Sequence, residues 1–302
     1  MPKPIVILDA PSNLGLRPPE PGLVPGVYKL AGALRDKGLV SRLRANDGGV
    51  VVPPRYLPAW DGKTLRNAQG LISYSLRLAD RIQQHISAGA FPLVLGGDCS
   101  ILLGGMLALR RRGRYGLIFI DGHLDFRHPG NAEGVGSAAG EDLALVMGRG
   151  AASLTNLEGH SPLVEGRDVV AIGFRPDDEY LAEVREAGVT TIDATQLQRE
   201  GATQIARLAR ETLQQRSVEG YWIHLDVDVL DPIVMPAVDT PTPGGLTVRE
   251  LVSLLRHLLT SNLALGLEVT VFDPDLDPDG MLAQRLTDVL AAGFQDYPSG
   301  QC

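Results

Sequence analysis

The chain has few cysteines, few aromatic residues and no long apolar run, and each shortage argues against a class of protein. Its 302 residues include two cysteines, Cys99 and Cys302, which argues against a disulfide-stabilised fold. No apolar run approaches the roughly 20 residues that a membrane-spanning helix needs. The N-terminal segment also lacks the layout of a signal peptide. We therefore expect a cytoplasmic protein without a membrane partner.

Basic charge is scarce as well. The formal net charge is −8, whereas proteins that bind nucleic acids usually carry a basic patch, so we expect no nucleic-acid partner. With 44% hydrophobic residues, the chain has ample material for one large core. Residues 1–302 are therefore predicted to form a single domain.

Short apolar runs alternate with helical patterns along the whole chain. This order is typical of βαβ units and predicts a mostly parallel sheet with helices on both faces. Such sheets bind ligands at the carboxyl ends of their strands. The predicted strands are Pro4–Asp9, Pro92–Leu95, Gly116–Ile120, Asp168–Phe174, Thr190–Asp193, Tyr221–Leu225 and Leu263–Glu268. The predicted helices are Val27–Asp36, Leu65–Ala88, Ile101–Arg112, Gly140–Gly148, Asp178–Ala187, Thr203–Arg216, Thr247–Leu259 and Gly280–Gly293.

Three acidic clusters follow predicted strands. They are GGDCS at Gly96–Ser100, DGHLD at Asp121–Asp125 and DVDVLDP at Asp226–Pro232. Buried strands of a parallel sheet do not carry this much charge at their ends unless something pairs it. Two adjacent divalent cations would pair it.

The spacing within the clusters brings their polar side chains together. Residues at i, i+2 and i+4 of an extended segment share one face. Asp121, His123 and Asp125 are therefore expected to converge. By the same spacing, the side chains of Asp226 and Asp228 are expected to lie on one face of the strand end.

The three motifs, in this order and at strand ends, resemble those of the arginase–agmatinase family, the ureohydrolases. The resemblance covers nearly the whole chain and implies a three-layer α/β/α domain with a central, mostly parallel sheet of about eight strands. It implies a metal-dependent hydrolase that cleaves a linear C–N bond in a small guanidino or amidino compound. A metal-bridging hydroxide would be the nucleophile, and urea or a related product would be released. It also implies a homo-oligomer, a trimer or hexamer.

The family pattern implies two divalent ions bridged by Asp121 and Asp226. The remaining ligands would be Cys99 and Asp125 for one ion, and His123 and Asp228 for the other. Carboxylates are hard oxygen ligands, so Mn²⁺ is the first expectation. Two such ions would lower the pKa of a shared water molecule. Asp125 could also accept or orient that water's proton.

Cys99 departs from the pattern, because most family members carry a histidine there. A thiolate is softer than an imidazole and adds Zn²⁺, Fe²⁺, Co²⁺ and Ni²⁺ as candidate metals. A ureohydrolase subgroup that acts on hydroxyarginine is similar at this position. The alternative is an inert core thiol, since cysteine is often buried.

Two further residues are candidates for the catalytic site. Glu268 ends the strand LALGLE, and the family's glutamate after this strand binds the guanidinium group. The spacing to the following proline differs here, and the alternative is a solvated charge. His224 precedes Asp226 by two residues and faces the same side, so it could orient a bridging carboxylate. Its alternative is a core histidine.

A second departure lies at Ala139, where the resemblance places the histidine that shuttles protons in arginases. L-arginine is therefore predicted to be a poor substrate. Glu141 and Asp142, which follow, are predicted to be charges at a helix N-terminus. Two other functions stay open. One is a metal-binding family member without catalysis, and the other is an amide hydrolase of the same superfamily, although that group's tandem histidine pair is absent.

Overall fold

A computed structural model of the chain describes residues 3–133 and 136–298. Cys302 lies outside these residues. Eight strands form one sheet in which every pairing is parallel, in the order β2-β1-β3-β8-β7-β4-β5-β6. The strands are β1 Ile5–Asp9, β2 Asn46–Val50, β3 Phe91–Leu95, β4 Gly116–Ile120, β5 Val169–Ile172, β6 Thr190–Ile192, β7 Tyr221–Asp226 and β8 Ala264–Thr270.

Helices cover both faces of this sheet, which completes the predicted three-layer α/β/α architecture. Helices α1, α2 and α8 to α11 pack on one face, and α3 to α7 pack on the other. Their bounds are α1 Leu30–Asp36, α2 Leu39–Leu43, α3 Ala68–Ser87, α4 Leu102–Arg110, α5 Asp142–Val146, α6 Ala152–Thr155, α7 Leu181–Glu186, α8 Ala194–Glu200, α9 Ala202–Gln215, α10 Val248–Leu259 and α11 Met281–Gly293.

The strand that the sequence did not predict, β2, lies at an edge of the sheet. Its sequence is NDGGV, which has neither an apolar run nor an alternating pattern, and its first two residues are exposed. Parallel pairing with β1 is what makes it a strand. The seven predicted strands are all present. Six of them contain buried apolar runs. The seventh, β6, has the sequence TTI, buries only Ile192 and pairs with β5.

Strands β3, β8, β7 and β4 are neighbours in the centre of the sheet. Because all strands are parallel, their carboxyl ends lie at one edge, and the three acidic clusters meet there. Among the described residues, no helix combines the length and the apolar character needed to cross a bilayer.

Candidate metal centre

The turn after β3 is built to present Cys99. Asp98 caps the turn: its Oδ2 accepts from the Ser12 hydroxyl at 2.8 Å, and its Oδ1 accepts from the Ser100 amide at 3.0 Å. Gly97 packs so tightly that a Cβ atom there would lie 1.6 Å from the Ser12 carbonyl oxygen. Only glycine fits such a close backbone approach. The two glycines and the aspartate of GGDCS therefore hold this loop in shape, and its cysteine faces the candidate metal centre.

Cys99 lies against the end of β7. Its Sγ donates to Asp226 Oδ2 at 2.8 Å and lies 3.2 Å from Thr270 Oγ1. Burial, and then the charges of Asp226 and neighbouring carboxylates, raise the pKa of this thiol well above its usual value. A cation beside Cys99 would reverse that shift, because positive charge favours the thiolate.

His123 is fixed at both ring nitrogens. Nδ1 lies 2.9 Å from Asp228 Oδ2, and Nε2 lies 3.1 Å from Thr242 Oγ1. Burial lowers the pKa of His123, but the hydrogen bond and charge of Asp228 outweigh it and raise this pKa to about 9. Burial likewise raises the pKa of Asp228, and its contact with His123 outweighs it, so the net direction is down.

The loops after β4 and β7 are joined by backbone hydrogen bonds to carboxylates. The amide of Asp228 donates to Asp226 Oδ1 at 2.7 Å, and the amide of Gly122 donates to Asp228 Oδ1 at 3.0 Å. In the second cluster, the His123 amide donates to Asp121 Oδ1 at 2.7 Å. Asp121 and Asp226 thus accept from their own motifs, and Asp228 accepts from the neighbouring one. The second oxygens of Asp226 and Asp228 contact Cys99 and His123.

Asp121 and Asp125 complete the centre. Asp121 is buried, and its Oδ2 has no hydrogen-bond partner among the described residues. Burial, and then the charge of Asp125, raise the pKa of Asp121 well above its usual value. Asp125 adopts a positive φ of 40° and lines a cavity, and burial raises its pKa to about 7. Buried carboxylates that repel one another in this way are stabilised by cations.

All six predicted ligands are brought together. One set, which we call the outer group, contains Asp121, His123 and Asp228. A second set contains Cys99, Asp121 and Asp125. Within each set, the ligand atoms lie within 4.8 Å of one another. The sixth residue, Asp226, contacts both sets through Cys99 and Asp228. The donors and the unpaired oxygen of Asp121 therefore fit two divalent ions.

The cavity above these residues measures about 450 Å³. Acidic side chains predominate in its described lining, which suits a cationic ligand. Seven are carboxylates and three are arginines: Asp125, Asp177, Asp178, Glu179, Asp226, Asp228 and Asp239, with Arg17, Arg127 and Arg175.

Comparison with known proteins agrees with this geometry. A model of the arginase family matches residues 31–294. The chain belongs to the arginase family. It is 30% identical to an arginase of Staphylococcus aureus over 302 residues, which cover 97% of each protein. The solved arginase of Bacillus caldovelox superposes with a TM-score of 0.86 at 30% identity, over 97% of this chain and 98% of that one.

A more distant structure shows how widely the fold is shared. The proclavaminate amidino hydrolase of Streptomyces clavuligerus has a TM-score of 0.69 at 20% identity, over 98% of this chain and 92% of that one. At this identity the likeness concerns the fold alone. The sequence-based assignment to the arginase family and to its α/β/α fold is confirmed.

Glu268 does not lie at the end of its strand, where the sequence analysis placed it. Strand β8 continues two residues beyond it, to Thr270, so Glu268 lies inside the sheet and is fully buried. It does not line the cavity; Val271, the residue after the strand, does. Two residues of a strand span about 6.6 Å, which is enough to withdraw a carboxylate from a strand end. The expectation that Glu268 faces a substrate is therefore corrected.

The carboxylate of Glu268 instead contacts His224. His224 Nδ1 donates to Glu268 Oε1 at 2.7 Å, and its ring stacks on Phe119 with centroids 4.8 Å apart. His224 makes no hydrogen bond to a bridging carboxylate: Nε2 lies 3.9 Å from Asp121 Oδ2. The predicted orienting role thus rests on proximity to Asp121, not on a hydrogen bond.

Two residues outside the predicted ligand set support the loops. The Arg175 guanidinium donates to the carbonyl oxygen of Asp228 at 3.1 Å and to that of Thr242, so it joins the loops that carry both partners of His123. Asp178 accepts from the Leu124 amide at 2.9 Å, which braces the second motif. The segment GFRPDD after β5 carries both residues, and its position at a strand end was the available signal.

Proposed function

We propose that this protein is a metal-dependent hydrolase that cleaves a linear C–N bond in a small guanidino or amidino compound and releases urea or a related product. Membership of the arginase family supports the reaction class. The observation that carries the proposal is Asp121, a buried carboxylate that belongs to both ligand sets and whose Oδ2 has no partner among the described residues.

The metal ions would be held by the residues that the geometry brings together. Asp121 and Asp226 would bridge, with Cys99 and Asp125 on one side and His123 and Asp228 on the other. When bound, two adjacent divalent ions would lower the pKa of a water molecule and so supply a nucleophile near neutral pH. Mn²⁺ suits the oxygen donors, and Cys99 favours Zn²⁺, Fe²⁺, Co²⁺ or Ni²⁺ at its side.

The protein's own groups bind and orient the substrate. The acidic lining attracts a cationic guanidinium or amidinium group. Asp239 lines the cavity and can pair with such a cation, a task that Glu268 cannot perform from inside the sheet. Asp125 stands at the cavity and can accept a proton during attack.

We expect L-arginine to be a poor substrate for this cavity. Ala139 and Val271 both line it. The cavity therefore has no imidazole at residue 139 and no carboxylate at residue 271. We expect kcat/KM for L-arginine to lie at least about 100-fold below that for the preferred compound, a difference of about 2.7 kcal/mol.

A screen for urea release decides this. Guanidino and amidino compounds that differ in chain length and in terminal charge would be tested with Mn²⁺, Zn²⁺, Co²⁺ and Ni²⁺. Turnover of L-arginine with kcat near ~10 s⁻¹ would contradict the substrate prediction. Full metal loading without any turnover would favour the non-catalytic alternative, and release of a carboxylic acid from amides would favour the amide hydrolase. A cytoplasmic location and a trimeric or hexameric assembly stay predictions.

A further inference from the structure

One wall of the cavity is apolar, although most of the described lining is polar or charged. Leu16, Ala139 and Val271 line the cavity, and each is at most 5% exposed. All three belong to the hydrophobic core cluster that also contains Cys99, so the core of the domain continues into the cavity at this point. We call Leu16, Ala139 and Val271 the apolar wall. A part of a ligand that lies against this wall is favoured when it is apolar and uncharged.

Backbone hydrogen bonds hold the residues of the apolar wall side by side. The Ala139 amide donates to the carbonyl oxygen of Gly15, the neighbour of Leu16, at 3.1 Å. The Val271 amide donates to the carbonyl oxygen of Gly97 at 2.7 Å. Gly97 in turn packs against the loop that carries Leu16. The apolar wall is therefore one continuous surface, formed where the loops after several strands meet.

Val271 has an unusual backbone conformation for a valine. Its φ is 72°, in the left-handed region that β-branched residues rarely adopt. Residues in such costly conformations cluster at active sites and at sites that clamp ligands. Val271 directly follows β8, at the edge of the sheet where the metal centre lies. Its backbone conformation thus supports contact with a ligand, independently of its apolar character.

A carboxylate lies on the loop beside the apolar wall. Asp239 lines the cavity, and its loop is joined to the segment after Val271 by the Asp273 amide, which donates to the Ala237 carbonyl oxygen at 2.9 Å. Among the described residues, the Asp239 carboxylate accepts one hydrogen bond, from the Thr240 hydroxyl at 3.3 Å. It can therefore accept charge-assisted hydrogen bonds from a bound cation.

The other charged side chains of the described lining are used within the protein or lie at the mouth of the cavity. Asp178 accepts from the amides of Leu124 and Tyr180, both at 2.9 Å. Arg175 donates to backbone carbonyl oxygens, and a hydrogen bond to Tyr180 raises the pKa of Arg127. Three more residues are exposed: Arg17, Asp177 and Glu179. In the described lining, a second charge on a ligand would therefore meet its partners at the mouth.

We propose that the substrate is a guanidinium or amidinium compound whose nitrogen carries an apolar, uncharged substituent such as a short alkyl chain. The substituent lies against the apolar wall, and the Asp239 carboxylate accepts from the N–H groups of the cation. This inference rests on the proposed function and narrows its substrate class. An amino-acid head group, by contrast, would bring two charges to a wall that pairs neither.

The experiment measures how affinity depends on the length of the substituent. Full-length protein loaded with Mn²⁺ is titrated by calorimetry with guanidinium chloride and with its N-methyl, N-ethyl, N-propyl and N-butyl derivatives. Two further probes are the butyl compound with a terminal carboxylate and the butyl compound with a terminal ammonium group. Where a probe is hydrolysed, KM takes the place of Kd.

For the wild type, we expect affinity to rise by about two- to fourfold with each methylene group, because each one leaves water for the apolar wall. A terminal carboxylate or ammonium group should weaken binding by about tenfold relative to the butyl compound. The physical reason is that burying a charge without a partner is unfavourable.

Two kinds of variant separate the apolar wall from the carboxylate. Val271→Thr keeps the branched shape but adds a hydroxyl group, so the gain per methylene should fall below about twofold while guanidinium binds as before. Ala139→Ser tests the wall a second time. Asp239→Asn should weaken every probe by about tenfold and keep the gain per methylene.

The matched controls are Val52→Thr and Asp36→Asn, which make the same changes at exposed positions outside the described lining. Both should bind all probes as the wild type does. Circular dichroism verifies that each variant folds.

Three results would overturn the proposal. The first is a wild-type affinity that does not rise along the alkyl series, and the second is tighter binding of a charged probe than of the butyl compound. The third is an unchanged gain per methylene in both Val271→Thr and Ala139→Ser. None of these results contradicts the proposed hydrolysis if a charged guanidino compound releases urea. Alkyl probes that bind as expected while no guanidino or amidino compound is hydrolysed would instead contradict the proposed function.

Discussion

The centre contains two imidazoles, the half-buried His123 and the fully buried His224, and they differ in how completely they are paired. His123 uses both nitrogens, toward Asp228 at 2.9 Å and toward Thr242 at 3.1 Å. His224 uses Nδ1 alone, toward Glu268, and leaves Nε2 unpartnered among the described residues. The first arrangement is stable without metal, whereas the second leaves an unpaired buried atom. The difference indicates that His123 is held from both sides by protein groups, whereas His224 is held by Glu268 alone and lies beside Asp121 without bonding to it.

The largest effect is expected from a change that breaks both sides at once. Asp121→Asn removes the charge that the two groups share, and loss of several kcal/mol of electrostatic stabilisation should lower urea release by about 1000-fold or more. Metal analysis should show less than one tightly bound ion per chain. Asp177→Asn, which changes a carboxylate at the cavity with no ligand role, serves as the control. Equal losses in both variants would mean that the overall negative charge of the cavity matters, not Asp121 in particular.

A change at Cys99 should sharpen the contrast between the sides. Cys99→His replaces a soft thiolate with an imidazole, so the preference of the Cys99 side for Zn²⁺ over Mn²⁺ should fall by about tenfold or more. Cys99→Ala should empty the Cys99 side and leave the outer group occupied. Competitive titration of each variant with both metals measures this. An unchanged preference in both would identify Cys99 as a core thiol.

The metal-free protein should lose stability as pH rises. A carboxyl group whose pKa is higher in the folded state, such as Asp125 with a pKa of about 7, stabilises the fold at low pH. This contribution is lost as the pH rises from about 4 to the pKa of the folded state. His123 acts in the same direction, since its contribution is lost as pH rises through about 9. Between about pH 6 and pH 9, Tm should fall by roughly 5 °C.

Loading with Zn²⁺ provides the control for this measurement. Deprotonated ligands bind metal more tightly, so saturating metal should flatten or reverse the pH dependence of Tm. A metal-free Tm that rises over the same range would show that the buried carboxylates are not the groups that titrate.

The smallest effects should come from the residues that orient the imidazoles, and they compare the two sides directly. Glu268→Gln removes the charged partner of His224, which lies beside the bridging carboxylate of Asp121, and should weaken the ion on the Cys99 side by about 10-fold. Thr242→Val removes a neutral partner of His123, which Asp228 still holds, so the outer ion should weaken by about threefold or less. Isothermal titration of both variants measures the pair. Equal losses, or a larger loss in Thr242→Val, would contradict the comparison.

The sequence predicted the sheet and the motif residues because both are local patterns. Buried strands read as apolar runs, and Cys99, Asp121 and Asp228 lie within short motifs at strand ends. Strand β2 could not be predicted, since an exposed edge strand with two glycines is formed by pairing with β1. The end of β8 was misplaced by two residues, and this put Glu268 at the cavity instead of inside the sheet.

The buried position of Asp142 could not be predicted, because the sequence offers a local explanation for this carboxylate. A carboxylate at the start of an apolar helical pattern is expected from the helix dipole alone. Its neighbour His224 comes from a strand that is distant in sequence and meets Asp142 only in the folded protein. Local patterns therefore identified the candidate metal ligands, and tertiary structure was needed to show that Asp142 lies beside His224.

Anomalous diffraction from crystals of protein loaded with Zn²⁺ and Mn²⁺ tests the central claim most directly. Data collected on both sides of the zinc edge distinguish the two metals at each position. We predict two metal peaks bridged by Asp121 and Asp226, one beside Cys99 and Asp125 with zinc enriched, and the other beside His123 and Asp228. A single ion, or ions away from these six residues, would contradict the account.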